Sequence, residues 1–319
     1  MSDSSAFPGE NLSEKINRVL SDLVASHLQG KDAPLRLAMT ALLSGGHILI
    51  EDVPGLGKTT LALVLSGCLG LSFGRVQCTS DLLPSDITGL SIYERQKEQF
   101  RFLKGPVFNN VLLVDEINRA MPKTQSALLE AMEERRVTVE GKTWDLPQPF
   151  LVIATQNPVE QVGTYPLPES QLDRFSLRTG LGYPPRNIET AILKGGSLRN
   201  RMHELRTLLH ADDILQAREQ VAQVYLSDRV TGYIYEMLQA SRNHPMILAG
   251  ISTRGGIDLA GAARTTAYLD GRDHVAPEDV KQVAVAAFAH RLVLRPEHAH
   301  QDREEIVQSI LQSIAVPTA

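Results

Sequence analysis

The chain has 319 residues, 43% of them hydrophobic and 22% charged, with 32 basic against 37 acidic side chains and a net charge of −5. That length allows two domains with a sizeable core. The acidic balance weighs against a surface that holds nucleic acid by neutralising phosphates, although it leaves room for a basic pore.

In chain order, Met1–Glu10 carries neither the basic nor the apolar block of a secretory signal, and no apolar run is long enough to span a bilayer. A frayed tail over 1–16 and a cytoplasmic protein without membrane insertion are expected. Ile16 to Leu43 reads as helix, broken at Gln29-Gly30-Lys31. A strand over His47–Ile50 then runs into Glu51-Asp52-Val53-Pro54-Gly55-Leu56-Gly57-Lys58-Thr59-Thr60. This stretch reads as a phosphate cradle. Gly55 and Gly57 let backbone N–H groups close around phosphate oxygens, with Leu56 between them. Lys58 reaches the β/γ-phosphates, Thr59 supplies a hydroxyl to Mg²⁺, and the helix from Thr60 turns its positive end toward the anion. The strict pattern has glycine where this chain has Asp52, so that carboxylate is expected to point away from the phosphates. Cys68 and Cys78 have no metal-ligand spacing with nearby histidines and read as small core residues.

Strands follow at Phe73–Cys78, Val111–Val114 and Leu151–Thr155, alternating with helices from Thr60 and Lys123, which predicts a parallel sheet with helices on both faces. The ligand of such a sheet lies at the carboxyl ends of the strands. There Asp115 is the natural holder of the Mg²⁺ shell, and Glu116 is placed to polarise an attacking water; the bland alternative is that both acids cap the next turn. Asn157, just past the third of these strands, either orients the water or is an ordinary turn residue before Pro158. Arg174 is expected at the end of a helix before a Phe175-Ser176-Leu177 strand, where it either serves a neighbouring subunit or makes a surface salt bridge.

Two stretches interrupt the alternation as hairpins. Leu90–Glu94 and Gln99–Leu103 flank a charged turn at Arg95–Glu98, and Val137–Leu146 folds around Glu140-Gly141-Lys142. After Tyr183-Pro184-Pro185-Arg186 helical periodicity takes over: Ala211–Val224, Asp228–Arg242, Arg254–Leu269 and Pro277–His290. Gly255-Gly256 allows close helix contact. Basic runs such as Glu133-Glu134-Arg135-Arg136 and Leu198-Arg199-Asn200-Arg201 are explained by solvated faces. His244, His290, His298 and His300 have no convincing metal partners and read as structural or exposed.

The order of these parts resembles the AAA+ ATPases, and within them the MoxR family of the helix-two-insert group. The most specific piece is Asp115-Glu116-Ile117-Asn118-Arg119-Ala120-Met121-Pro122-Lys123-Thr124-Gln125-Ser126-Ala127-Leu128-Leu129-Glu130-Ala131-Met132-Glu133-Glu134. The resemblance implies a P-loop NTPase parallel sheet between helices over 17–185, with two β-hairpin insertions, and an all-helical lid over 186–319. It makes Lys58 and Thr59 the Walker A pair, Asp115 and Glu116 the Walker B pair, Asn157 the first sensor, Arg174 the arginine finger and Arg254 the second sensor, with Ser252-Thr253-Arg254 replacing the commoner Ser-Pro-Arg. Leu28 to Gly30 become candidates for contact with the adenine. It also implies ATP/ADP and Mg²⁺ as cofactors and a homo-oligomeric, hexameric ring. The expected partners are a protein client and a von Willebrand factor A domain protein, in enzyme maturation or metal and cofactor insertion. A nucleic-acid-stimulated motor and a binding switch without appreciable turnover remain as alternatives.

Overall fold

A computed structural model describes residues 11–159, 162–195 and 206–317, so Met1–Glu10 and the Leu198–Arg201 run lie outside the described residues. The first helix, α1 (Leu12–Ser26), begins inside the stretch expected as tail. Its start is a reciprocal cap: the Asn11 side chain accepts from the Glu14 N–H at 2.9 Å and the Glu14 carboxylate accepts from the Asn11 N–H at 3.3 Å. Such a pair satisfies N–H groups the helix leaves open, and its Asn-x-x-Glu spacing was readable in the chain. Ile16, Val19, Leu20 and Leu23 recur on its buried face. The break at Gly30 leads into α2 (Asp32–Ser44), which ends on Gly45 in the left-handed conformation.

The sheet is then laid down with its helices: β1 (Ile48–Glu51), α3 (Lys58–Cys68), β2 (Phe73–Gln77), α4 (Pro84–Thr88), β3 (Gly89–Glu94) and β4 (Gln99–Lys104). There follow β5 (Val111–Asp115), α5 (Pro122–Glu134), β6 (Arg136–Val139), β7 (Lys142–Asp145), β8 (Leu151–Gln156), α6 (Glu169–Leu172) and β9 (Leu177–Thr179). Five of the strands form one sheet in the order β2-β5-β8-β1-β9, every neighbouring pair parallel. Alternate residues feed two cores: Ile48, Ile50, Leu113 and Ile153 join the core shared with the later helices, while Leu49, Leu112, Val114 and Val152 join the one beneath α5. A strand buried on both faces reads as an unbroken apolar run, which is why β5 and β8 were visible in the sequence. The last strand lies slightly later than expected, because Ser176 is used to donate its hydroxyl to the His47 carbonyl at 2.8 Å before pairing begins at Leu177.

Both insertions are antiparallel hairpins, β3 with β4 and β6 with β7. The second turns through Glu140 and Gly141, each with positive φ, as a two-residue hairpin loop requires. Phe102 of the first hairpin stacks on Trp144 of the second at 4.9 Å between ring centroids, so the two insertions share one aromatic contact.

The rest is mainly helical: α7 (Arg186–Gly195), α8 (Ala211–Gln223), α9 (Asp228–Asn243), α10 (Thr253–Leu269), α11 (Pro277–Phe288) and α12 (Arg303–Ser313). A small antiparallel pair, β10 (Ile247–Ala249) with β11 (Val293–Leu294), was not foreseen, nor was α12. Helix α10 packs on α2, α8, α9 and α11, and α11 reaches β9. A Cβ on Gly256 would stand 2.9 Å from Leu238 Cδ1, so this glycine is what permits the α9–α10 approach. Arg291, after α11, fastens the helical part to the sheet part. Its side chain is only 2% exposed, its Nε donates to Asp173 Oδ1 at 2.9 Å, and it also donates to the Asp173 carbonyl and to Asp258. Cys68 and Cys78 are buried as expected, and burial pushes their thiols up to about 11 and about 12. His290 is buried too, with Nε2 2.8 Å from the Phe175 carbonyl oxygen.

Candidate nucleotide site

A cavity of about 960 Å³ opens at the carboxyl ends of β1, β5 and β8, where an open parallel sheet places its ligand. One wall is the loop between β1 and α3. Gly55 and Gly57 have φ of 88° and 97°, conformations that L side chains rarely adopt, and they carry the backbone around the mouth of α3. The first turn of α3 holds no acidic residue, so the positive end of the helix is left uncancelled. Gly55, Leu56, Gly57, Lys58, Thr59 and Thr60 all line the cavity. Lys58 donates its ammonium to the Asp52 carbonyl, and burial lowers its pKa while Asp52, Asp115 and Glu116 raise it. Lys58 lines the same cavity as Asp115 and Glu116.

Asp52 does turn away from the cradle. Its Oδ2 accepts from the backbone N–H groups of Leu181 and Gly182 at 2.7 Å each, and its Oδ1 from Val53 N–H at 2.8 Å. The residue that replaces glycine thus ties the loop to the chain after β9. Lys31 completes the tie by donating to the Leu181 carbonyl at 3.0 Å and to that of Gly182.

The opposite wall carries Asp115 and Glu116. Asp115 ends a strand buried throughout; its Oδ2 accepts from Arg75 Nε at 2.8 Å and its Oδ1 lies 3.4 Å from the Thr155 hydroxyl. Glu116 has φ +57°, and its N–H donates to Thr155 Oγ1 at 3.0 Å. The Glu116 carboxylate is held by Arg119 at 3.1 Å and Gln77 at 3.3 Å. Asp115 and Glu116 both line the cavity. Asn157 also lines it, while its Oδ1 accepts from Val159 N–H at 3.1 Å, so the turn role and a place in the site coexist.

Arg75, Gln77 and Thr155 were missed in the sequence. The signal is register: Gln77 stands beside Asp115 across β2–β5, so residues 75 and 77 of that strand lie on the side of the acids.

Three expected positions are not in this cavity. Gly30 lies between lining residues Gln29 and Lys31 but does not itself line the space; with φ +73°, its missing Cβ direction faces Pro185 Cδ at 2.9 Å. Glycine is needed there for packing the α1–α2 break against the start of α7, while Leu28 and Gln29 do line the cavity. Arg174 and Arg254 lie elsewhere, both paired with Glu133 near the end of α5. Neither arginine lines the cavity that holds Lys58 of the same chain.

Residues 47–177 match the model of the ATPase family associated with various cellular activities (AAA), and residues 239–310 match the AAA lid domain. The chain is 38% identical to the Mycobacterium tuberculosis protein named chaperone MoxR1, over 90% of this chain and 79% of that one. It belongs to the MoxR family of AAA+ ATPases. A Bacillus subtilis protein, YeaC, is 45% identical over 95% of this chain and 93% of its own length. The solved structure of a putative ATPase from Cytophaga hutchinsonii superposes with a TM-score of 0.89, at 39% identity and covering 96% of both chains. The fold expected of this MoxR-type chain, a helix-flanked parallel sheet with a helical lid, is the one found. Membership supports ATPase activity in general and a chaperone-like role. No helix among the described residues is long and apolar enough to cross a membrane.

Proposed function

We propose that this MoxR-type chain hydrolyses ATP with Mg²⁺ in the cavity between the β1–α3 loop and the end of β5, and uses the cycle to remodel a protein client. The observation that carries the reading is that Lys58, Thr59, Asp115, Glu116 and Asn157 line one cavity. Its donors fit a magnesium nucleotide: a hydroxyl and one carboxylate supply hard oxygens, and Mg²⁺ bound with phosphates keeps most of its remaining shell as water. Bound there by Thr59 and Asp115, the ion would neutralise charge on the β- and γ-phosphates. The chain's own part is positional. The loop N–H groups and Lys58 hold the phosphates, Glu116 accepts the proton of the attacking water, and Asn157 orients it. Arg75 pairs with Asp115, and Arg119 with Gln77 holds the Glu116 carboxylate.

Arg174 and Arg254, absent from this cavity, serve the nucleotide of an adjacent subunit in a ring, which we take to be hexameric. The division of labour is a nucleotide-binding unit from α1 to residue 185 and a lid from residue 186 onward, in the cytoplasm. For the client side, the β3–β4 hairpin presents exposed Tyr93 and Phe100, a surface suited to protein contact, with a von Willebrand factor A domain protein as the expected partner and maturation or metal and cofactor insertion as the purpose. A phosphate-release assay on Glu116→Gln tests the chemistry. The expected result is retained ATP binding with turnover lowered about 10²–10⁴-fold. Turnover equal to the unmodified chain removes Glu116 from the role, and a salt-sensitive stimulation of turnover by DNA favours a nucleic-acid motor instead.

A further inference from the structure

Glu133 occupies an unfavourable place for an acid, the last turn of α5, where unpaired carbonyls already make the helix end negative. Two guanidiniums converge on it from different parts of the chain. Arg174, just after α6 in the sheet domain, brings Nη1 to 2.9 Å from Glu133 Oε2, and the same nitrogen donates to the Leu129 carbonyl at 2.9 Å. Arg254, in the first turn of lid helix α10, donates through Nη2 to Glu133 Oε1. The residues beside them are joined as well: Ser252, the cap of α10, donates to both Asp173 oxygens at 3.0 Å and accepts from Gly255 N–H at 3.0 Å. The backbone bases of the two arginines are thus fixed by Asp173 and Ser252, and their tips by Glu133.

Stability does not explain the arrangement. The side chains of Arg174, Arg254 and Glu133 are 31%, 43% and 35% exposed, and ion pairs that wet contribute little to folding. What one carboxylate between two arginines does supply is orientation, because each of its oxygens fixes one guanidinium and leaves the rest of each planar fork uncommitted to it. We infer that Glu133 is a positioning residue: it holds Arg174 and Arg254 as a pair so that both are presented together to the triphosphate of the adjacent subunit. This rests on the proposal that those arginines act across a subunit boundary. It adds that lid and sheet domain deliver them as one unit, registered by an acid that touches neither substrate nor metal.

Mixed assemblies separate the two ideas. One chain carries Glu116→Gln, so its own cavity is inactive but its arginines are intact; the other carries Arg174→Ala, so its cavity is intact but its finger is missing. Mixing them restores turnover if Arg174 acts in trans. Glu133→Gln, nearly isosteric, is then added to one chain or the other, with ATP binding and thermal melting of each variant checked first. In the arginine-donating chain it lowers restored turnover about 10- to 100-fold, the scale of a misplaced catalytic group. In the cavity-donating chain it leaves restored turnover in place. Glu133→Asp in the arginine donor gives an intermediate rate, since the charge is kept and the reach shortened. Equal losses in both chains, or no loss in either, overturn the role of Glu133 while leaving the trans arginines standing. No restored turnover in the parent mixture overturns the trans reading and the positioning role with it.

Discussion

The molecule holds two polar clusters built on opposite plans. In the cavity at the strand ends, acids and bases of the sheet domain are interleaved, Arg75 on Asp115, Arg119 on Glu116 and Lys58 at the loop, while Lys31 before α2 and Glu189 of α7 also line the space. At the second cluster two arginines from two domains share one acid, beside a cavity of about 660 Å³ lined by Glu130, Glu133 and Arg174. The first contains the parts needed to hold a triphosphate. The second holds the two arginines that, on the proposal above, stabilise a triphosphate of an adjacent subunit. On the proposed function, the binding half and the charge-stabilising half of the chemistry are carried by separate clusters of one chain, so that turnover would depend on assembly.

Breaking the second cluster is the sharpest way to test that division. Arg174→Ala is expected to lower turnover by roughly 10³-fold or more, with ATP affinity of the isolated chain unchanged. Steady-state phosphate release above the assembly concentration, beside equilibrium nucleotide binding, checks both halves; a parallel loss of binding would place Arg174 with the first cluster. Beside the second cluster lies Arg291, whose buried guanidinium serves Asp173 and Asp258 together. Arg291→Ala leaves two carboxylates without their cation and is expected to cost about 3–5 kcal/mol, measured as a shift of the denaturation midpoint. A loss within the range of a surface pair, under about 1 kcal/mol, would show that the domains are joined mainly by apolar packing.

A smaller effect comes from His47 at the head of β1. Burial holds its pKa down to about 4; the Met132 carbonyl pulls against that shift, and Arg135 and Arg218 reinforce it. Its Nδ1 accepts from Val152 N–H at 3.0 Å, a bond the protonated ring cannot accept. Since the folded chain binds this proton less readily than the unfolded one, its contribution is present above pH 6.5 and is lost as pH falls toward about 4. The loss is about 3 kcal/mol, and His290, pushed down by burial as well, acts in the same direction. A stability profile between pH 7 and 4 that is as steep in His47→Gln as in the unmodified chain would remove this histidine from the account.

How much of this was legible follows from chain distance. The phosphate loop, Asp115 with Glu116, and Asn157 each sit within a few residues of a strand's end, so an apolar run followed by a polar residue locates them without knowledge of the fold. Arg75 and Gln77 meet those acids only through strand register, about forty residues away, and a lone charged residue in a strand does not announce its neighbour. The break at Gly30 is legible in the chain, whereas its close approach to Pro185 depends on a residue far along the sequence. The pairing of Arg174 with Glu133 was open to neither propensity nor motif, since the family-specific run includes Glu133 without giving it a partner. The helix start at Asn11 is encoded in the Asn-x-x-Glu capping spacing, one turn ahead of where the apolar periodicity begins at Ile16.

In the proposed function, Lys58 of the loop and the acids at the end of β5 bind one magnesium triphosphate. Calorimetric titration of MgATP into the unmodified chain, Lys58→Ala and Asp115→Asn measures it directly. The account predicts saturable heat for the unmodified chain, none at matched concentrations for Lys58→Ala, and binding that no longer responds to Mg²⁺ for Asp115→Asn. A flat titration of the unmodified chain, or equal affinity in Lys58→Ala, would contradict it.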